Sequence, residues 1–235
     1  MTRAINATDG KELWTLSDYT GEFGAISYAI ADGSTVFYNG YDDSIYSLGQ
    51  GPSVTTVTAP SSGLSFGQSV VIKGTVMDVS AGTQQAAVAA NFHNGVPVAS
   101  DASITAWMGY VYQQQPFPTN FTGVQVSLDV LDAHGNYRTI GTATTDATGV
   151  YSFTWIPDIP GTYNVIATFH GTNGYWPSYS ESSFVVDAAA THPPTAAPIS
   201  GFATTSDLMT YVAVAAIAII IAIALATVLL LRKRP

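Results

Sequence analysis

The residues of this chain that could do chemistry do not gather into a catalytic or metal-binding pattern. His93, His134, His170 and His192 are scattered, with no pair at the helical or strand spacing that places two imidazoles on one metal. No G-x-S-x-G elbow, Walker loop, H-E-x-x-H helix or EF-hand loop occurs. Asp42 with Asp43, and Asp129 with Asp132, gather the hard oxygens that Ca²⁺ takes, yet turn formation and solvated strand ends explain them as well. The absence of cysteine excludes a disulfide framework, thiolate catalysis and thiolate zinc sites. The sequence thus assigns no catalytic residue, no metal and no cofactor.

What it offers instead is contact chemistry. Tyr175-Trp176-Pro177-Ser178-Tyr179 supplies flat amphipathic rings of the kind that stack on sugars or anchor a protein partner. Packing of the same rings against a neighbouring helix is the other reading. Tyr110, Tyr112 and the run Gln113 to Gln115 form a second candidate contact surface if they face outward; the other reading is that their segment caps one end of the β domain and buries Trp107. Asn6-Ala7-Thr8 and Asn120-Phe121-Thr122 match the N-glycosylation acceptor, a short pattern that also arises by chance.

The element that must position these groups is at the C-terminus. Met209 to Leu231 is an uncharged run of 23 residues followed at once by Arg232, Lys233 and Arg234. As a helix it would be about 34 Å long, enough to cross a hydrocarbon core of ~30 Å with a modest tilt. The basic residues predict a cytoplasmic C-terminus and an exported N-terminal part, in a single-pass protein of the cell membrane whose partner is the lipid bilayer. All 16 acidic residues precede the run, with only four basic ones, Arg3, Lys11, Lys73 and Arg138. Such a surface is a poor nucleic-acid partner, because neutralising phosphates takes clustered Lys and Arg. Residues 1–6 show no signal peptide. Either the export signal lies upstream of Met1, which is the expectation, or the chain is tail-anchored.

Before the apolar run the sequence reads as mainly β. Glu12 to Leu16, Gly24 to Ile30, Ser34 to Tyr38 and Ser44 to Leu48 are short strands, and Asp32-Gly33 marks a tight hairpin. Ala7-Thr8-Asp9-Gly10-Lys11-Glu12-Leu13-Trp14, followed by Ile30 to Phe37 and Asp43 to Leu48, resembles the repeat of quinoprotein-type β-propellers. The resemblance covers about one blade, residues 1–51, and brings no quinone with it, since such cofactors are assembled from many blades.

After a linker at 52–63, alternating runs at Ser69 to Val76, Gly123 to Leu131, Arg138 to Thr144, Val150 to Trp155, Thr162 to Phe169 and Ser182 to Val186 read as strands. Thr145 to Gly149 has the Gly-ended form of a hairpin loop. The segment Thr144 to Trp155, followed by Pro157 to Val165, resembles prokaryotic Ig-like surface domains, in which a strand ending in Trp is followed by a Pro-Gly turn and a Tyr-containing strand. The resemblance implies an Ig-like sandwich over 64–187 with an insertion at about 79–122. Within it Ile104, Trp107, Met108 and Val111 define a short amphipathic helix, with Ser100-Asp101 as its N-cap and Pro116 beyond its end. Gln84 to Ala90 adds a further helical turn. A Pro/Thr/Ala-rich stalk (188–207), a transmembrane helix (208–231) and a basic tail (232–235) complete the order.

The reading is a non-enzymatic, membrane-anchored protein of an archaeal or bacterial surface, displaying its ectodomain for structural or binding roles toward an extracellular protein or glycan. The alternatives are the anchor portion of a propeller dehydrogenase and a glycan-binding adhesin.

Overall fold

A computed structural model describes residues 1–20, 28–60, 62–189 and 204–233. The chain divides into two units, Met1–Ala189 and Ala190–Pro235.

The first unit begins with β1 (Thr2–Ile5) and β2 (Glu12–Leu16), which pair antiparallel with Ala4 opposite Trp14. A three-stranded meander follows, of β3 (Tyr28–Ala31), β4 (Ser34–Asn39) and β5 (Ser44–Leu48). Ala31 faces Ser34 across a two-residue turn in which Asp32 and Gly33 both have positive φ, 50° and 75°. That is the geometry whose twist matches a hairpin, and it requires residues that tolerate the left-handed region. Phe37 is buried between Tyr28 and Tyr46, with ring centroids 5.2 and 5.7 Å away. The strands sit where the blade resemblance expects them, but they pair in two separate sheets of two and three strands. Residues 24–27 of one expected run lie outside the described residues.

The rest of the unit is a two-layered β-sandwich. One sheet holds β6 (Ser53–Thr58), β8 (Val70–Asp78) and β12 (Val150–Trp155) in the order β12-β8-β6, with the short β9 (Val96–Pro97) paired to β8. The other runs β11 (Tyr137–Thr144), β10 (Gln125–Leu131), β13 (Gly161–Phe169), β14 (Ser178–Asp187) and β7 (Leu64–Ser65). The two-residue β7 pairs parallel to the end of β14, Leu64 with Val186 and Ser65 with Asp187. Alternate residues point inward, as a half-buried strand requires. Ile72 and Val76 of one sheet meet Val126, Leu128, Val130 and Val165 of the other in one buried core.

Three sequence expectations change here. The segment expected as a linker at 52–63 contains β6, paired to β8 from Ser53↔Asp78 to Thr58↔Lys73. Its buried positions include Thr55, whose hydroxyl lies 2.7 Å from that of Ser178, so a polar residue occupies a place where alternation in hydrophobicity would be sought. The loop Thr145 to Gly149 joins β11 to β12 across the two sheets and is not a hairpin. A short Gly-ended loop serves either connection. The last strand starts at Ser178, four residues before the alternation of apolar side chains begins.

Gly74, in the central strand β8, permits a close crossing. Tyr151 on β12 lies opposite it and reaches over it to donate its hydroxyl to the Thr56 carbonyl of β6 at 2.6 Å. A Cβ at position 74 would sit 1.9 Å from that carbonyl and 2.3 Å from the Tyr151 hydroxyl.

The insertion folds as a 3-10 turn at Ala81–Gln84, α1 (Ala86–Asn91), β9 and α2 (Ile104–Gln113). It has its own small core of Val88, Val96, Ala99, Trp107 and Val111. Trp107 is fully buried and donates its ring N–H to the Pro97 carbonyl at 3.0 Å. The N-cap position is Ser103, not Ser100-Asp101: Ser103 N–H bonds the Ser100 carbonyl in a preceding turn, and Asp101 is taken by Asn173. The helix stops at Gln114, in the left-handed conformation two residues before Pro116.

The second unit is described from Thr204. Its helix α3 spans Thr205–Arg232 and opens with a capping box in which Thr204 and Asp207 exchange hydrogen bonds. No residue of α3 is buried, and its large apolar side chains are 54% to 71% exposed. It is the one described helix long and apolar enough to cross a membrane. Most of the expected stalk lies outside the described residues.

Candidate functional site

The expected aromatic contact cluster is split by the fold into a buried half and an exposed half. The loop between β13 and β14 carries Tyr175, which is only 1% exposed. Its hydroxyl donates to Oδ2 of Asp78, at the end of β8, over 3.2 Å, and Asp78 Oδ1 accepts the Ser80 N–H at 2.7 Å. A buried phenol needs such an acceptor. Burial first, and then the Asp78 carboxylate, push the Tyr175 phenol well above its usual value, so it stays protonated and donating. Tyr175 is therefore corrected from a contact residue to a structural one.

The same loop fastens the N-terminal strands. Gly51 N–H bonds the Gly174 carbonyl and the Trp176 N–H bonds the Gly51 carbonyl, both at 2.8 Å. The Gln50 side chain donates to the carbonyls of Thr172 and Tyr175 at 2.8 and 3.0 Å. Asn173 in turn bonds Asp101 through both backbone and side-chain nitrogen. Tyr175 and its neighbours thus form a joint between the residue 49–52 turn, the sandwich and the insertion. Nothing in the local sequence announces it, because Asp78 lies 97 residues before its partner.

Trp176 and Tyr179 remain outward, 56% and 68% exposed. Tyr179 lies opposite Thr168, which lies opposite Ser127, on the outer face of the five-stranded sheet. The next rows on that face are Glu181, Ile166, Asp129 and Thr139, then Ser183, Asn164, Leu131 and Tyr137. Asn164 donates to Glu181 at 2.8 Å and Thr139 to Asp129 at 2.6 Å. Asp129, through a hydrogen bond and then its charge, raises the Tyr137 phenol above its usual value. The result is a mixed face of tyrosines, hydroxyls, amides and two carboxylates.

Tyr110 and Tyr112 pack inward, so of the two readings the structure supports the one in which the insertion buries Trp107. The Tyr110 ring packs against Phe117, Trp107 and Phe92 at 5.3, 5.6 and 5.9 Å. Tyr112 is half-buried over Gly82, and burial, then Asp78, hold its phenol above its usual value. Tyr110, three residues after Trp107, shares its helix face, and both tyrosines pack against the insertion's own core. Gln114 and Gln115 are exposed, and Gln113 donates to the Ser17 carbonyl at 2.9 Å. Between α2 and β2 a groove of about 550 Å³ opens, lined by Thr15, Thr105, Gln113, Gln115, Phe117 and Asn120 among others. A second cleft, of about 390 Å³, lies between Asp101, Gln125 and His170.

The carboxylates considered for calcium have protein partners. Asp132 accepts from the Asn136 side chain, from the His134 and Asn136 N–H groups and from Arg138. Asp42 accepts from Ser44 N–H and the Tyr46 hydroxyl, and Asp43 from the Tyr38 hydroxyl. Among the described residues no three His, Asp or Glu side chains cluster in a way that could hold a metal ion. His93, His134 and His170 are exposed, the last with its ring nitrogen 3.0 Å from the Ser127 hydroxyl; His192 lies outside the described residues. Arg232 ends α3 and Lys233 caps it, while Arg234 lies outside the described residues.

No family model matches the chain, and no curated protein matches it. Among solved structures, the fibronectin(III)-like modules of Clostridium thermocellum CbhA align at 12% identity and a TM-score of 0.32, over 68% of this chain and 64% of theirs. A protein of Corynebacterium diphtheriae described as membrane anchored aligns at 15% identity and a TM-score of 0.32, over 69% of this chain and 30% of its own. The chain thus spans less than two thirds of either. The strand order itself is that of a two-layered sandwich, a sheet of four strands packed on one of five, the architecture of Ig-like domains.

Proposed function

We propose that this chain is a single-pass surface protein whose sandwich is displayed outside the cell, with the C-terminus in the cytoplasm and no catalytic role. The observation that carries the reading is α3. Its large apolar side chains, from Leu208 to Leu231, are all more than half exposed. Burying such a side chain is worth roughly 1.5–3 kcal/mol, so the helix belongs in a bilayer and not in water. The basic residues Arg232 and Lys233 at its end orient it by the positive-inside rule. The acidic, hydroxyl-rich sandwich suits display, and the outer sheet face bearing Tyr179 and Tyr137 is its contact surface toward a protein or glycan.

The chain has no cysteine, which makes the orientation directly testable. Ser183→Cys in the sandwich should react with a membrane-impermeant maleimide on intact cells, and a cysteine appended after Pro235 should react only after permeabilisation. The reverse pattern would overturn the proposal in favour of tail-anchoring.

A further inference from the structure

Asn120 stands exposed at the edge of the groove between α2 and β2, and among the described residues its side-chain amide has no hydrogen-bond partner. We infer that Asn120 carries an N-linked glycan and that the first sugars of that glycan lie in this groove, bridging the insertion and the N-terminal sheet. The inference rests on the outward orientation proposed above.

Two features of the turn select this asparagine. Its carbonyl accepts from the hydroxyls of Ser103 and Thr122, each at 3.4 Å, so the backbone is held while the side chain is exposed. Thr122 supplies the hydroxyl residue that the acceptor pattern requires. Asn6, by contrast, spends its Oδ1 on the Thr8 N–H at 2.9 Å inside the tight turn between β1 and β2. Its backbone closes that turn as well, bonding Lys11 and Gly10.

The groove has the chemistry of a sugar site. Its wall offers the ring of Phe117, 46% exposed, as a flat apolar platform. Gln113, Gln115, Thr15 and Thr105 surround it with amides and hydroxyls that can donate or accept. Among the described residues no charged side chain lines it, although acidic residues outnumber basic ones more than twofold in the chain. A neutral polyol fits such walls and a phosphate or cation does not. A covalently tethered glycan is also present at high effective concentration, so individually weak contacts are enough to seat it.

The linkage forms from a glycosyl phosphate donor. The Asn120 Nδ2 replaces the phosphate oxygen at the anomeric carbon: the new N–C bond forms, the C–O bond breaks, and one amide proton leaves as the phosphate departs with the bonding electrons.

The test uses the full chain purified from its native membranes. Peptide mapping by mass should show a saccharide increment on the peptide containing Asn120 and none on that containing Asn6, and Asn120→Gln should abolish the increment. Hydrogen exchange before and after enzymatic deglycosylation should show loss of protection at Thr15 to Ser17 and at Gln113 to Phe117. An unmodified Asn120 in a chain whose sandwich labels from outside would overturn the glycan while sparing the surface reading. A sandwich shielded from outside reagents would overturn both. Modification without any change in exchange would overturn the seating in the groove.

Discussion

The Tyr163 hydroxyl lies 3.1 Å from both the N–H and the carbonyl of Ile159, four residues upstream, and ties the entry of β13 to the loop before it. This is the tyrosine corner of Ig-type sandwiches, here on a ring stacked against Phe184 at 5.5 Å. Tyr163→Phe keeps the ring and leaves the Ile159 groups without that partner. Chemical denaturation of the detergent-solubilised chain should show a loss of about 1–3 kcal/mol, and an unchanged midpoint would remove the corner from the stability of this fold.

Gly74→Ala should be more damaging than its one carbon implies. The added Cβ would overlap the Thr56 carbonyl, which is backbone and cannot step aside. Overpacking typically costs about 1–3 kcal/mol and occasionally more, and this site belongs at the upper end. Tyr151→Phe loses only the bond to Thr56 and should cost about 1 kcal/mol. Equal midpoints for the two variants would refute the crossing.

Acid should loosen the β10–β11 corner around Asp132. The Asn136 side chain first, then the Asn136 N–H, with His134 N–H and Arg138, lowers its carboxyl from 3.8 to about 2. A depressed folded value stabilises above the unfolded value and loses that stabilisation as pH falls. The contribution is therefore full above pH 4 and fades toward about 2. A stability titration of Asp132→Asn should lack this descent; a wild-type profile in the variant would assign it elsewhere.

The joint and the outer aromatics should separate experimentally. Gln50→Ala removes two hydrogen bonds to the residue 172–175 loop, and proteolysis near residues 49–52 should accelerate while amide exchange in β8 stays unchanged. Trp176→Ala and Tyr179→Ala should shift stability by less than about 0.5 kcal/mol, as exposed substitutions do, while weakening attachment to whatever the face binds. A folding defect in either would make them part of the core.

The strands that alternate apolar and polar residues were legible in the sequence because one face of each meets the core: β12 has the bounds its pattern predicts, and β10, β11 and β13 begin within two residues of theirs. β6 was not, since a buried threonine bonded to Ser178 looks the same on paper as a solvated one. The crossing of the Thr145 to Gly149 loop between sheets depends on which strands pair, and that is settled by contacts far along the chain. Of the contact residues, Trp176 and Tyr179 were readable as exposed rings. Tyr175 was not, because its fate depends on Asp78, and neither were Tyr110 and Tyr112, whose burial depends on how the insertion closes on its own core.

The parallel clasp of β7 on the end of β14 gives the sandwich a mechanical character. Tension arriving along the backbone at Ala188 enters β14 lengthwise, where nine residue pairs with β13 and two with β7 hold it on both sides. Those pairs must yield together in shear instead of unzipping in turn. A pull along that strand's own axis meets the direction in which a sheet resists extraction best.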